Sequence, residues 1–402
     1  MQNRRVVITG LGPVSAIGVG REAFFAALHA NARGLRIIDL FDTSRYRSTL
    51  AAELAGFRVE DYLESQKTYL DRGTELAFAA MSLAIADAGL ELAACDRARV
   101  GLCLGTAFGS FETMRLFFED FLKKGPRFVK PFLFPHTYAN TAISLLAIEY
   151  GLTGYHNCFA SGATAAAAAI LDAADRIREG RCDLAFAGGF EAFNEILFAL
   201  QDRLGALSPA RTPRDWAGPF DAARNGCVPG EGAGVLVLES VEHARAREAV
   251  IYGELLGGAL CADSGVSRGG ECAGVARAMR SALVDAQTEA DAVDTVLASA
   301  NGSVWPDRHE ARAVAEVFGA RPPVTTVKPM LGETFGAGAA LQLIAAAGLL
   351  NLNHVPPVNN LVRPEPGLGA RFPQSGIDAP LTRVLLNAID PGGSLASFVI
   401  RR

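Results

Sequence analysis

The sequence predicts an α/β protein made of two similar halves, and three observations support this fold class. Short apolar runs typical of strands alternate with helical segments, which favours mostly parallel or mixed sheets. This alternation runs through the chain twice, and the second pass opens near Ala249. No linker rich in Pro, Gly or Ser separates the two passes. We therefore expect residues 1–248 and 249–402 to form two structurally duplicated halves around a continuous core.

The first half is predicted to alternate strands and helices up to a long loop at 208–231. Strands are expected at 5–9, 100–105, 184–190 and 232–238, and helices at 21–32, 71–88, 111–122, 140–150 and 192–203. Gly10-Leu-Gly12 is expected to be the loop that ends the first strand. Because Ser15 stands where a dinucleotide-binding fingerprint has its third glycine, this loop does not predict a nucleotide site.

A sharp turn near the middle of the chain is the strongest candidate for a site. Tyr155–Cys158 is predicted to be a short strand, which enters a tight turn at Phe159–Gly162 and then an alanine-rich helix. Such an elbow commonly exposes a nucleophile, because the free N–H groups and the dipole of the helix N-terminus lower the pKa of a thiol. Here Phe159 is at the apex, and Cys158 comes one residue earlier.

The second half is predicted to contain strands at 249–256, 295–300, 325–327, 382–387 and 397–401, with helices at 274–286, 308–318 and 338–350. Three glycine-bearing loops, at 299–306, 327–338 and 387–394, each follow one of these strands. Sites assemble at the carboxyl ends of strands in open α/β sheets. We therefore expect the three loops and the elbow to form one pocket.

The composition disfavours several classes of function. The net charge of −5 gives no electrostatic basis for binding nucleic acid or an anionic membrane. The seven cysteines are dispersed, which indicates reduced thiols, and the six histidines lack the spacing of metal ligands. No signal peptide or membrane span is predicted, so we expect a cytoplasmic protein.

Several glycine- and proline-bearing motifs follow one another over nearly the whole chain. They are Val7–Gly12, Gly125–Pro135, Ala187–Glu191, Pro219–Asp221, Gly230–Glu239, and Lys328 with its glycine loop. Together these motifs resemble the β-ketoacyl synthase family of polyketide and fatty-acid synthesis. The resemblance implies the thiolase fold, in which two duplicated βαβ halves form a five-layer α-β-α-β-α architecture, and it implies no cofactor.

The residues that carry catalysis in this family are replaced in this chain. The resemblance assigns Phe159 to the position of the nucleophilic Cys, and a benzyl side chain cannot form a thioester. Asn301 stands for the first catalytic His, and some relatives also have Asn there. Cys158 remains a possible thiol, although a small buried thiol is the more ordinary interpretation of a lone Cys.

Two further replacements affect the charge and the hydrogen-bond donors of the site. Glu333 stands for the second catalytic His and brings a negative charge to a place where an oxyanion has to be stabilised. Pro391 stands for a Phe whose backbone N–H contributes to the oxyanion hole, and proline has no N–H. Lys328 is retained, but the family's glutamate on the following helix is Gln342 here. We predict that Glu333 replaces that glutamate as the buried partner of Lys328.

A chain that keeps the motifs of the family but has its catalytic residues replaced resembles the chain-length factor of a type II polyketide synthase. Such a factor implies a non-catalytic subunit that forms a heterodimer with an active ketosynthase and bounds the tunnel of the growing acyl chain. The acyl-carrier protein is then an indirect partner, and Phe159 favours an aryl-polyene or other reducing system. Two alternatives are an active condensing or decarboxylating acyltransferase that uses Cys158, and a homodimeric scaffold that binds acyl groups.

The helix predicted at 111–122 is amphipathic and is the candidate wall of the acyl tunnel. The resemblance places the pocket-limiting residues of the family in this region, and steps of three and four residues lie on one face of a helix. Packing in the core of the chain itself is the competing interpretation. The candidate tunnel and interface residues are Phe111, Met114, Phe117, Phe118, Phe132 and Phe134.

Overall fold

Residues 4–269 and 272–402, which this computed structural model describes, contain fifteen strands and eleven α-helices. The strands are β1 (Val6–Ser15), β2 (Gly18–Val19), β3 (Arg36–Ile37), β4 (Leu50–Ala51), β5 (Val100–Gly105), β6 (His156–Phe159), β7 (Leu184–Glu191), β8 (Gly232–Ser240), β9 (Gly253–Ala262), β10 (Thr295–Leu297), β11 (Val324–Thr325), β12 (His354–Val355), β13 (Ile377–Asp378), β14 (Arg383–Ile389) and β15 (Ser394–Arg401). The helices are α1 (Arg21–His29), α2 (Arg72–Asp87), α3 (Phe111–Lys124), α4 (Thr141–Glu149), α5 (Ala165–Arg178), α6 (Glu195–Arg203), α7 (Val241–Ala246), α8 (Gly274–Asp285), α9 (Val304–Phe318), α10 (Lys328–Leu331) and α11 (Gly338–Leu352).

The strands of the two halves follow the same order, which is the structural sign of duplication. The first half is arranged β1-β8-β7-β5-β6, and the second half is arranged β9-β15-β14-β10-β11. The directions also correspond, because β5 is parallel to β6 and β7 just as β10 is parallel to β11 and β14. The halves meet where β1 pairs antiparallel with β9 over three residue pairs, from Val6↔Leu255 to Ile8↔Gly253.

Three apolar layers separate the sheets and helices and give the five-layer thiolase fold. Alternate side chains of a strand point to opposite faces, so each sheet contributes to two layers. In β8, Leu236 and Leu238 face the central layer, whereas Val235 and Val237 face the outer layer that contains α2 and α4. The third layer lies between strands of the second half, such as β14 and β15, and helices α8 and α9.

Helices α5 and α11 fill the central layer, and both are composed largely of alanine and other small or apolar residues. Small side chains allow each helix to pack against strands and against the other helix without voids. The segment Phe335–Leu352, which contains α11, is the one helical segment among the described residues that is long and apolar enough to cross a membrane, with a mean hydropathy of 1.6. Its position in the core accounts for this composition, because 83% of the segment is buried inside the protein.

The prediction that Gly10-Leu-Gly12 forms a loop is wrong, because β1 continues through it to Ser15 with a bulge between Ile8 and Gly10. The glycines are needed for close packing rather than for a turn. A Cβ atom on Gly12 would lie 1.9 Å from the carbonyl oxygen of Ala80 in α2, and one on Gly10 would lie 2.6 Å from that of Ala84. The strand can therefore pass directly against the helix backbone.

The other predicted elements are present, with differences at their ends. Strand β9 begins at Gly253 instead of residue 249, and α6 begins at Glu195, where the Asn194 side chain caps it by accepting a hydrogen bond of 3.0 Å from the N–H of Leu197. The division of the chain at residue 248 stays a prediction.

Candidate functional site

The predicted elbow is present at the end of β6. The strand includes Phe159, and Gly162, with φ of 65°, opens a 3-10 turn that leads into α5. A left-handed φ of this kind favours glycine. Because successive strand residues point to opposite faces, Phe159 packs against the central layer, whereas Cys158 packs against the outer layer of α2 and α4.

The environment of Cys158 does not activate its thiol. Its Sγ atom lies 3.5 Å from the carbonyl oxygen of Ala139, which accepts its hydrogen bond. Burial raises the pKa of the Cys158 thiol to about 11, because the charged thiolate is poorly solvated there. A nucleophilic cysteine requires the opposite shift. The thiol is therefore protonated at neutral pH.

Lys328, Glu333 and Asn301 form a hydrogen-bonded network in which Lys328 and Glu333 are buried and Asn301 is half-buried. Lys328 Nζ donates to Glu333 Oε1 over 2.6 Å, and Asn301 Nδ2 donates to Glu333 Oε2 over 2.7 Å. The backbone N–H of Phe335 also donates to Glu333 Oε1, over 2.9 Å. The predicted pairing of Lys328 with Glu333 is thus confirmed, and the Glu333 side chain is only 4% exposed.

Gln342 no longer acts as a partner of the lysine. Its Nε2 donates to the backbone carbonyls of Ala298 and Asn387, over 3.0 and 3.1 Å, and its Oε1 is buried without a hydrogen-bond partner among the described residues. The amide therefore ties α11 to the ends of β10 and β14. This arrangement leaves Glu333 as the carboxylate that neutralises Lys328.

Asp390, which the sequence analysis did not single out, connects the last loop to the elbow. Its Oδ2 accepts a hydrogen bond of 2.6 Å from the N–H of Ala163, in the turn that begins α5, and its Oδ1 accepts one of 2.6 Å from Gly392. Pro391 follows it in a Pro-Gly-Gly turn. The carboxylate thus accepts the hydrogen bond that an N–H group at this helix N-terminus could otherwise donate to a bound anion. Asp before Pro-Gly is a turn signal in sequence, but its contact with residue 163 is not.

Hydrogen bonds join the third glycine-bearing loop to the elbow and the first loop to the second, the latter between Asn301 and Glu333. That the three loops and the elbow form one pocket stays a prediction. Besides the contact of Asp390 with Ala163, the hydroxyl oxygens of Thr164 and Ser394 lie 2.7 Å apart. A small cavity of about 10 Å³ is lined by the rings of Phe108, Phe193, Phe198 and Phe335, among other residues. A space of this size holds about one water molecule and cannot hold an acyl chain.

Glu191, at the end of β7, is a second buried carboxyl that the sequence analysis named only as part of a motif. It accepts hydrogen bonds from the N–H groups of Ala107, over 2.6 Å, and Gly336, over 3.2 Å. Burial raises its pKa to about 8, against the opposing effect of these donors. Its contacts cross-link the loop after β5 to the loop before α11, so it supports the site rather than reaching into it.

The predicted tunnel residues form an exposed aromatic surface on α3 and on the 3-10 segment Pro131–Thr137. Thr113 is the only fully buried residue of α3, whereas the Phe118 side chain is 50% exposed. Phe117 is half-buried and contacts both Phe118 and Phe134, with ring centroids 5.8 and 6.0 Å apart. We call this surface the aromatic surface; it comprises Phe111, Met114, Phe117, Phe118, Phe121, Phe132, Phe134 and Tyr138.

A cleft of about 930 Å³ opens beside the N-terminus of α3, next to the aromatic surface. Its walls combine aromatic rings, including Phe111 and Phe193, with ion-paired side chains such as Arg72 and Arg115. For metals, the described residues contain no group of three or more His, Cys, Asp or Glu side chains that could hold an ion.

Family models match most of the chain. Residues 3–244 match the model for the N-terminal domain of β-ketoacyl synthases, and residues 252–362 match the model for the C-terminal domain. Among individual proteins, the chain is 33% identical to a Streptomyces halstedii protein named as a polyketide β-ketoacyl synthase, over 99% of this chain and 98% of that protein.

Two solved structures extend the similarity to three dimensions. The ishigamide ketosynthase/chain length factor matches with a TM-score of 0.93 and 32% identity over 99% of both chains. A structure of AntDE with AntF, a type II polyketide synthase acyl-carrier protein in complex with its ketosynthase bound to the hexaketide, matches with a TM-score of 0.89 and 28% identity over 100% of both chains.

Proposed function

Because the chain belongs to the β-ketoacyl synthase family, we propose that it is the non-catalytic chain-length-factor subunit of a type II polyketide synthase and that it pairs with an active ketosynthase. The observation that carries this proposal is the carboxylate of Glu333, held between Lys328 and Asn301 at the position of a catalytic His. A negative charge there opposes the stabilisation of an enolate or an oxyanion.

The other replaced residues remove further groups that the condensation reaction requires, namely the nucleophile and a donor to the oxyanion. Phe159 offers no nucleophile, and Cys158 lies on the opposite face of the strand with a raised pKa. Pro391 has no N–H to donate to an oxyanion, and the Asp390 carboxylate already binds the N–H of Ala163. Losing one oxyanion donor alone typically slows an enzyme by about 100- to 1000-fold. The alternative of an acyltransferase that uses Cys158 therefore has little support.

The unpaired surfaces of the chain support a protein partner. Strand β6 is the last strand of the sheet in the described chain, so one edge of its backbone is free to pair. The aromatic surface is exposed, and soluble monomers rarely expose large contiguous apolar patches. We infer that an active ketosynthase covers these surfaces and that the acyl-carrier protein delivers the growing acyl chain to that partner. A cytoplasmic location remains part of this proposal.

In this arrangement the aromatic surface limits the acyl tunnel of the partner. Met114 and Phe118 stand on the exposed face of α3, where they can meet an acyl chain that crosses the interface. A reducing or aryl-polyene system is proposed from the resemblance and from Phe159.

Co-expression with candidate ketosynthases, followed by native mass spectrometry, tests the pairing. We expect a one-to-one complex, and we expect Phe118→Asp to dissociate it because a charge cannot be buried unpaired at an apolar interface. Val284→Asp is the matched control, since Val284 is equally apolar and exposed on α8. A stable dimer of the chain with itself that excludes every ketosynthase would replace the proposal by the homodimeric acyl-binding scaffold.

A further inference from the structure

A second cleft, of about 590 Å³, lies between three segments that are distant in sequence. Arg33 follows α1, residues 214–223 belong to the long loop before β8, and residues 360–363 precede β13. The floor includes Trp216, whose ring lies against Gly302 in the loop that carries Asn301. The volume falls within the range of sites for small molecules.

Hydrogen bonds hold the three segments in a fixed arrangement. Asn360 Nδ2 donates to the carbonyls of Pro213 and Trp216, over 2.8 and 2.7 Å, and the N–H of Ala222 donates to the carbonyl of Arg363 over 2.8 Å. Next to the cleft, the side chains of Asn31 and Asn359 join the first segment to the third over 3.1 Å. The cleft is therefore preformed, which lowers the entropic cost of binding a ligand.

Three arginines line this cleft, and their guanidinium groups are not committed to other contacts. Arg33, Arg214 and Arg363 are exposed, and none of their side chains forms an ion pair or a hydrogen bond with another residue of 4–269 or 272–402. Each guanidinium offers five N–H donors in a planar fork that matches phosphate oxygens.

The two carboxylates of the cleft are already engaged. Asp221 is buried and accepts hydrogen bonds from the backbone N–H groups of Ala223, Val362 and Arg363, over 2.8 to 2.9 Å. Asp215 accepts a hydrogen bond of 2.7 Å from the Thr212 hydroxyl and lies beyond ion-pair distance of any arginine in the described chain. Neither carboxylate is ion-paired with a guanidinium group, and the three arginines of the lining outnumber its two carboxylates, so the cleft keeps a net positive charge.

We propose that this cleft binds the diphosphate group of a small organic ligand, with Arg33, Arg214 and Arg363 as its charged contacts. A diphosphate presents oxygens in several directions, which suits three arginines that reach the cleft from three segments. The site is independent of the proposed subunit function, because it uses neither the aromatic surface nor the residues around Glu333.

Calorimetric titration of the purified full chain with ADP and with inorganic pyrophosphate tests this inference. Both probes are expected to bind at one saturable site at low ionic strength, AMP is expected to bind more weakly, and adenosine is not expected to bind. Added salt should weaken binding, since exposed charges are screened. In a Trp305→Phe background, binding should also change the fluorescence of Trp216, which is then the only tryptophan.

Single substitutions separate a specific site from general attraction to positive charge. Arg214→Ala and Arg363→Ala should each weaken ADP binding by at least about tenfold, because each removes a charge-assisted contact. Arg245→Ala and Arg312→Ala are controls, since both arginines are exposed and lack ion pairs in the described chain. Absence of saturable binding up to about 5 mM probe, or an equal loss in the control variants, would overturn the inference.

Discussion

Lys328 Nζ lies 2.6 Å from Glu333 Oε1, and each of the two side chains is only 4% exposed. Opposite charges that are buried together in this way depend on each other. Removing one partner leaves an uncompensated buried charge, whereas removing both can be nearly neutral. The Asn301 amide and the backbone N–H of Phe335 also donate hydrogen bonds to Glu333.

The first prediction concerns that dependence. Glu333→Gln is expected to lower the free energy of unfolding by about 3–5 kcal/mol, the usual cost of breaking a buried ion pair. Adding Lys328→Met should recover much of this loss, because no unpaired ammonium then remains. Thermal melts of both single variants and the double variant complete the cycle. Strictly additive effects would mean that the two residues are not coupled.

A second prediction is that the chain does not accept an acyl group. Incubation with an acyl-carrier thioester should leave the intact mass unchanged, because Phe159 cannot form a thioester. The partner ketosynthase, present in the same sample, serves as the positive control for loading. A stoichiometric acyl adduct on this chain would refute both this prediction and the proposal of a non-catalytic subunit.

The raised pKa of Cys158 predicts a specific pH dependence of alkylation. With a pKa of about 11, only about one thiol in 10,000 is ionised at pH 7. Labelling of Cys158 by iodoacetamide should therefore be slow at pH 7 and should rise about tenfold per pH unit up to about pH 10. Peptide mapping after short exposures measures this rate. Rapid labelling at pH 7 would indicate an activated thiol and would revive the acyltransferase alternative.

For the aromatic surface, we predict that Phe118→Ala or Met114→Ala lengthens the products of the reconstituted complex. Removing a side chain that blocks the tunnel leaves room for further extension units. Mass analysis of the products is the measurement, and Val284→Ala, on the outer helix α8, is the control. Unchanged product length in a complex that still assembles would contradict a role for α3 in limiting the chain.

Glu191 predicts how stability depends on pH. Its pKa in the folded chain is about 8 and exceeds the ordinary value of a glutamate, so the folded state binds a proton that the unfolded state has released between about pH 4.5 and pH 8. Stability from this group is therefore fully present below pH 4.5 and is lost as the pH rises through 8. Glu191→Gln should flatten that decline in thermal melts at pH 5 to 9. Because burial also raises the pKa values of Asp307 and Glu310, part of the decline should remain.

The features of the structure that depend on local sequence patterns could be predicted from the sequence. Alternating strands and helices, the elbow and the three loops follow from periodicity and turn residues, and the pairing of Lys328 with Glu333 follows from the cost of burying a charge. Gly10 and Gly12 were misinterpreted because their role depends on the backbone of α2, which the local sequence does not reveal. The contact of Asp390 with Ala163 was missed for the same reason, since the two residues are 227 positions apart.

The contact of Phe117 with Phe134 is another feature that the local sequence does not reveal. Spacing places it beside Phe118, whose ring centroid lies 5.8 Å away, but the 3-10 segment adds a second aromatic neighbour, Phe134, at 6.0 Å. The partial burial of Phe117 is therefore set by a segment whose position cannot be derived from helical periodicity.

The central layer has a consequence for how the chain is made. Helix α5 comes from the first half and α11 from the second, and each needs the other to cover its apolar side. A ribosome that has translated only the first 248 residues has therefore produced a sheet and a helix with no α11 to cover them. The native core can close only after residue 352 has left the ribosome. Nascent chains should accordingly require protection from aggregation until synthesis is nearly complete.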